Sequence, residues 1–307
     1  MILHGRRGPF ALRLVDVPQL PEELTLPEAM VPATPPNPPA TPKDAATVAL
    51  VREGAAGLEV FLLRRVTGMA FAGGMTVFPG GGVDRRDADT SVAWGGPEPA
   101  WWGRKFSCDP TMARALVCAA VRETFEESGV LLAGKDDVSV VADTAKYADV
   151  RQALVNREVS LAQFLADAGL VLRADLLRPW ANWVTPAEEP RRYDTRFFLA
   201  VLPEGQRADG QTSEADHAAW QRPQDAIDDW KAGRVGLLPP TWMTLAELRE
   251  AGTVAAAMAI DRPTTDKIIP KVVRRGNKLH AVLPDDPAYA TASLDLAPGP
   301  DDDVAGR

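Results

Sequence analysis

The stretch Arg122-Glu123-Thr124-Phe125-Glu126-Glu127-Ser128-Gly129-Val130 packs three acids into five residues and ends on a glycine. On a helix, Glu123, Glu126 and Glu127 stand at i, i+3 and i+4, so their carboxylates share one face. Carboxylates that close repel one another unless a cation sits among them, and hard divalent metals take oxygen ligands. Gly129 supplies a helix stop before the apolar run Val130-Leu131-Leu132. Upstream, Asp109-Pro110 offers an N-cap followed by proline at the first helical position. Met112, Ala115, Leu116, Ala119, Ala120 and Val121 give the small, apolar lead-in of a buried helix. Taken alone, the acidic pair would read as a solvated helix end; the segment before it changes that reading.

That segment is Phe78-Pro79-Gly80-Gly81-Gly82-Val83-Asp84-Arg85-Arg86-Asp87, preceded by a strand-like Met75 to Phe78. Consecutive glycines permit positive φ or close backbone approach to a ligand. Together the two segments resemble the Nudix box: a glycine, five residues, an acid, seven residues, then R-E-U-x-E-E-x-G-U with U apolar. Gly81 and Asp87 fit the first half, with aspartate in place of the family's glutamate. Arg122 to Val130 fit the second, with Thr124 where an aliphatic residue is more usual. Between them stand residues 88–121 in place of seven, an insertion of 27 residues within the box. An interrupted box with FPGG and RETFEE is similar to the coenzyme A diphosphatase subgroup. The resemblance implies an α/β Nudix fold, a mixed β-sheet sandwiched between α-helices.

It also implies hydrolysis of a nucleoside diphosphate linked to another moiety, with Mg²⁺ or Mn²⁺ as cofactor. A multiply negative diphosphate is repelled by an acidic site unless such an ion bridges them. Glu123, Glu126 and Glu127 are then expected as catalytic residues and metal ligands, joined by the backbone carbonyl of Gly80. Arg122 is expected to position a carboxylate and Asp87 to pin the glycine turn. Family members also recruit a glutamate from a loop beyond the sheet. Glu214 is the leading candidate for that ligand or general base, with Glu188, Glu189 and His217 behind it. For substrate binding, Arg191-Arg192-Tyr193 precedes a Phe197-Phe198 strand and resembles a stretch common in the coenzyme A-cleaving group. Leu62-Leu63, Arg65 and Gly74 align partly with a motif of coenzyme A-specific members, with Ala70 at the second arginine. Arg65, Arg191, Arg192 and Tyr193 are the expected substrate contacts. The spaced proline associated with ADP-ribose cleavage is missing, because no proline follows the box before Pro179.

The chain of 307 residues is 46% hydrophobic and 25% charged, values of a globular protein. Its net charge of −8 and lack of a basic stripe argue against nucleic-acid binding. No run approaches the length of a membrane span, so no membrane partner is expected. Ile2-Leu3 is followed by charged residues rather than a secretory core, and Val304-Ala305-Gly306-Arg307 carries no peroxisomal tripeptide. The expected location is cytoplasmic. Cys108 and Cys118 make no metal framework.

Three regions are expected: a Pro-rich N-terminal arm over 1–44, a hydrolase domain over 45–260, and a C-terminal extension over 261–307. The arm carries nine prolines between residues 18 and 42. The domain opens with a hairpin of Ala46 to Val51 and Leu58 to Arg65, and it includes the insertion, approximately 88–114. The extension reads as a hairpin, Ile268 to Val273 and Lys278 to Leu283, before a disordered acidic tail from Asp295. The insertion holds Trp94, Trp101 and Trp102 of the chain's eight tryptophans. It is expected to form a lid, an acyl or pantetheine pocket or a homodimer contact, or to fill a small core of its own. Coenzyme A or acyl-coenzyme A is the leading substrate. The alternatives are a diphosphatase for NADH, ADP-ribose or a nucleotide sugar, and a non-catalytic nucleotide sensor, against which the intact acids speak.

Overall fold

Alternation along the first hairpin decides the layering. The chain enters as β1 (Thr25–Leu26), then β2 (Lys43–Gly54) and β3 (Gly57–Arg65). Ala46, Val48 and Leu50 of β2 share one core with Phe61 and Leu63 of β3. Ala49 and Val51 share another with Val60 and Leu62. Both faces of these strands are buried, which is why they read as near-continuous apolar runs. The computed structural model describes residues 19–293 apart from 33 and 69–71. The expected acidic tail, the start of the arm and Ala70 lie outside the described residues.

After the hairpin come β4 (Met75–Val77), β5 (Gly80–Gly82), β6 (Trp94–Gly95), α1 (Pro99–Phe106) and α2 (Pro110–Ser128). There follow β7 (Ala133–Gly134), α3 (Ala148–Val155), α4 (Leu161–Ala168), β8 (Val171–Arg173), β9 (Leu177–Val184) and β10 (Tyr193–Val201). The remainder is β11 (Ala215–Gln221), α5 (Pro223–Lys231), β12 (Gly236–Leu237), α6 (Pro239–Ala251), α7 (Val254–Met258), β13 (Lys267–Ile268), β14 (Lys271–Arg275) and β15 (Lys278–Val282). The main sheet runs β12-β4-β3-β2-β10-β9-β13, with β11 added to β3 and β5 to β2. It is mixed: β10 lies parallel to β2 and β13 parallel to β9, while β3 is antiparallel to its neighbours and β9 to β10. Helices α1 and α2 cover the face carrying Val48 and Phe198, and α5 and α6 cover the face carrying Ala49 and Phe197. This is the expected α/β sandwich. Among the described residues no helix is long and apolar enough to cross a membrane.

Two features differ from the sequence reading. The insertion is neither a lid nor a separate core. Trp102 is fully buried in the main core, its ring 6.1 Å from Phe106 and 5.5 Å from Phe198 of β10. Each such burial stabilises by roughly 1.5–3 kcal/mol, so α1 is part of the domain's foundation. The C-terminal hairpin is shorter than expected, because Pro270 has no N–H to continue a ladder. β13 joins the main sheet on β9, and only β14 and β15 form the hairpin. The Pro-rich arm is an extended segment, as expected: Thr25 and Leu26 pair His280 and Leu279 of the extension, and Leu24 shares a core with Trp242.

Candidate active site

The acidic helix forms as its sequence directs. The Asp109 carboxylate accepts from the N–H groups of Thr111 and Met112, Pro110 occupies the first turn, and Gly129 closes α2 with φ 72°. Thr124 tolerates full burial because its hydroxyl donates to the Ala120 carbonyl at 2.7 Å. The buried side of α2 packs on β2, so its carboxylate face meets the glycine strand that also pairs with β2.

Close approach explains Gly80 and Gly81, not positive φ, since β5 is extended. A Cβ on Gly80 would stand 2.6 Å from the Ala46 carbonyl oxygen and the Thr47 side chain. A Cβ on Gly81 would collide with the Glu123 carboxylate, while one on Gly82 would meet open space. The Gly80 N–H donates to Glu127 Oε2 at 2.8 Å. Arg122 ties the two halves of the split motif together. Its Nε and Nη2 form a fork on the Asp87 carboxylate at 3.0 and 2.9 Å, and Nη2 also donates to the Gly82 carbonyl. Its Nη1 reaches Glu123 at 2.7 Å and Glu126 at 3.3 Å. Asp87 also accepts from the Asp84 N–H, and so pins the loop.

Electrostatics marks this cluster as short of positive charge. Burial and the Glu126 carboxylate push Glu123 up to about 7 despite Arg122. Burial raises Glu126 as well, and burial with repulsion from Glu123 raises Glu127 well above the ordinary range. Arg122 loses hydration on burial, yet its acidic partners hold it firmly charged. Arg122 binds Asp87, Glu123 and Glu126, while Arg157 adds attraction at Glu126 and Arg65 at Glu127. Among the described residues no three acidic, histidine or cysteine side chains converge into a ready-made ion nest. The fit to Mg²⁺ or Mn²⁺ lies in donor chemistry, oxygen only, and in the uncompensated negative charge.

Glu123, Glu126 and Glu127 line a cavity of about 810 Å³ together with Gly80, Arg65, Glu214 and Tyr193. The pairing of Ala215 with Arg65 carries Glu214 there, and Arg65 Nη2 donates to Glu214 Oε2 at 3.0 Å. Arg65 Nε is buried without a partner. The loop bearing Glu214 is fastened to the end of α2 by Arg151, which donates to the Glu126 carbonyl and to Asp209. Glu189 also lines the cavity and is buried; desolvation and the neighbouring Glu188 push it up to about 8. His217 lies exposed on β11 and off the cavity wall. Arg191 and Arg192 do not line the cavity. Arg192 spends its guanidinium on the carbonyls of Thr185 and Ala40, at 3.0 and 2.8 Å, joining the arm to the sheet. Sequence reasoning missed Lys43, Arg85 and Arg157 on the cavity wall. Arg85 and Arg157 make no ion pair among the described residues. Nothing local distinguishes them from other surface arginines. Cys108 and Cys118 are both free.

A family model described as the NUDT19 Nudix domain matches residues 108–248. A curated relative named "Putative nudix hydrolase 7", from Caenorhabditis elegans, is 32% identical over 191 residues, covering 62% of this chain and 56% of that protein. "Acyl-coenzyme A diphosphatase NUDT19" of Xenopus laevis is 26% identical over 228 residues, covering 62% of this chain and 59% of that protein. The matches thus span less than two thirds of the length of either relative. Among solved structures, a NUDIX hydrolase from Alicyclobacillus acidocaldarius is 29% identical with a TM-score of 0.60, covering 72% of this chain and 97% of that one.

Proposed function

We propose that the chain is a Nudix-type hydrolase of the coenzyme A diphosphatase kind, hydrolysing coenzyme A or acyl-coenzyme A at the diphosphate with Mg²⁺ or Mn²⁺. The observation that carries this reading is the meeting of Glu123, Glu126, Glu127 and Glu214 with cationic Arg65, Arg85, Arg157 and Lys43 in one cavity. A diphosphate ester of a nucleotide needs both kinds of group. The arginines and the lysine neutralise phosphate oxygens, and the carboxylates hold the cation and handle protons.

Glu123, Glu126 and Glu127 would hold the metal, with Gly80 at its edge. When bound, that ion supplies screening of the diphosphate charge and Lewis-acid activation of water. The chain's own residues do the positioning. The Gly80 N–H fixes one oxygen of Glu127, and Arg122 fixes the Glu123 and Glu126 carboxylates while anchoring to Asp87. Glu214, half-exposed and held by Arg65, would accept the proton of an attacking water. Arg65, with Nε unspent, would bind the leaving phosphate on the same side.

A panel of coenzyme A, NADH and ADP-ribose, each assayed with Mg²⁺ and with Mn²⁺, tests the assignment. The reading expects coenzyme A to have the highest kcat/KM of the three. If coenzyme A proves the poorest, the substrate assignment fails.

A further inference from the structure

The cavity has a second wall of different chemistry and different origin. It is formed by Leu26 and Met30 of the arm, Leu238 and Pro240 at the start of α6, and Pro270 and Ala281 of the C-terminal extension. The arm and the extension are joined there by the β1–β15 pairing and by the Arg274 fork on Glu28, 3.0 Å at each oxygen. We propose that this wall seats the acyl chain of an acylated coenzyme A, so that the arm and hairpin set chain-length preference; the proposal rests on the coenzyme A reading above.

Three observations favour an acyl chain over a nucleotide base. First, these six side chains offer no donor or acceptor, whereas a base edge needs both in one plane. Leucine and methionine instead adapt to a flexible aliphatic occupant. Second, the wall belongs to the same cavity as the acidic helix, so a tail linked to the diphosphate has a continuous path to it. Third, the cavity of about 810 Å³ far exceeds what a diphosphate and its ion require. Glu189, which lines the same cavity with its Oε1 buried without a partner and its proton affinity raised by desolvation, adds little negative charge near neutral pH.

The test compares free coenzyme A with its butyryl and decanoyl thioesters, by turnover in Mg²⁺ and by equilibrium binding in chelator. For the wild type, the kcat/KM ratio of decanoyl to free coenzyme A is expected to exceed roughly tenfold, since several methylenes leave water. Met30→Glu places a charge on the wall and should lower that ratio by about tenfold, a comparison in which any general loss of activity cancels. Ala281→Leu keeps the wall apolar but fills space, and should move the preference from decanoyl towards butyryl. Ratios unchanged in both folded variants, or a wild type indifferent to chain length, would overturn the proposal. If no coenzyme A species is turned over, binding separates the two claims. Decanoyl binding at least about tenfold tighter than free coenzyme A, and lost in Met30→Glu, keeps the acyl seat while the diphosphatase reading falls. Equal binding of both removes the acyl seat.

Discussion

Three consecutive glycines carry three different burdens, and substitution by alanine separates them. At Gly80 a methyl would strike the backbone carbonyl of Ala46, which cannot give way because β2 is paired on both sides. Gly80→Ala is expected to cost about 1–3 kcal/mol, measured by denaturant unfolding. At Gly81 the obstacle is the Glu123 carboxylate, the movable end of a side chain. Gly81→Ala should therefore leave the melting temperature nearly unchanged while lowering kcat on the order of tenfold or more, because it displaces a carboxylate proposed to hold the ion. At Gly82 the methyl meets nothing, and Gly82→Ala should match the wild type in both assays. A Gly81→Ala enzyme with full activity would remove Glu123 from the site.

Among the elements, α2 was readable from sequence because everything that makes it is local: Asp109, Pro110, the apolar lead-in and Gly129. The β2–β3 hairpin was readable for the same reason. The arm's strand was not, since two residues have no periodicity and their partner lies in β15, near the other end of the chain. The tryptophan-bearing insertion kept several readings open because composition says that Trp102 will be buried, not against what. Its contacts with Phe106 and Phe198 decide the matter. Trp102→Ala should consequently destabilise the whole domain by about 3–5 kcal/mol, seen in chemical denaturation. A lid residue would instead change KM at constant stability. Asp109→Ala, which removes the cap of α2, should cost about 1 kcal/mol in the same experiment. At the site, the acids and Gly80 were legible because motif and helix spacing bring them together. Arg192 was not, because a guanidinium spent on the Thr185 and Ala40 carbonyls looks in sequence like one free for phosphate.

Across the whole molecule, buried acids link stability to pH, and Glu189 is one that lies apart from the acidic helix. Glu189 holds its proton in the folded chain up to about pH 8, against 4.5 for an ordinary glutamate, because of burial and Glu188. Between those values the folded state binds a proton that the unfolded state has released. This group therefore lowers stability progressively as pH rises from 4.5 towards 8. Glu189→Gln removes that dependence. The difference in melting temperature, variant minus wild type, should grow from pH 5 to pH 8. A difference constant across the range would mean that Glu189 is ionised in the fold. The arm, the hairpin and the hydrolase sheet together enclose one cavity, so the claim that matters most concerns what that cavity cuts. Its most direct test is coenzyme A hydrolysis, followed by mass spectrometry of the two phosphomonoester products, for wild type and Glu127→Gln with and without Mg²⁺. The account predicts products from the wild type only with the ion, and a loss of roughly 100-fold or more in a folded Glu127→Gln. Equal product formation in chelator, or by Glu127→Gln, would contradict it.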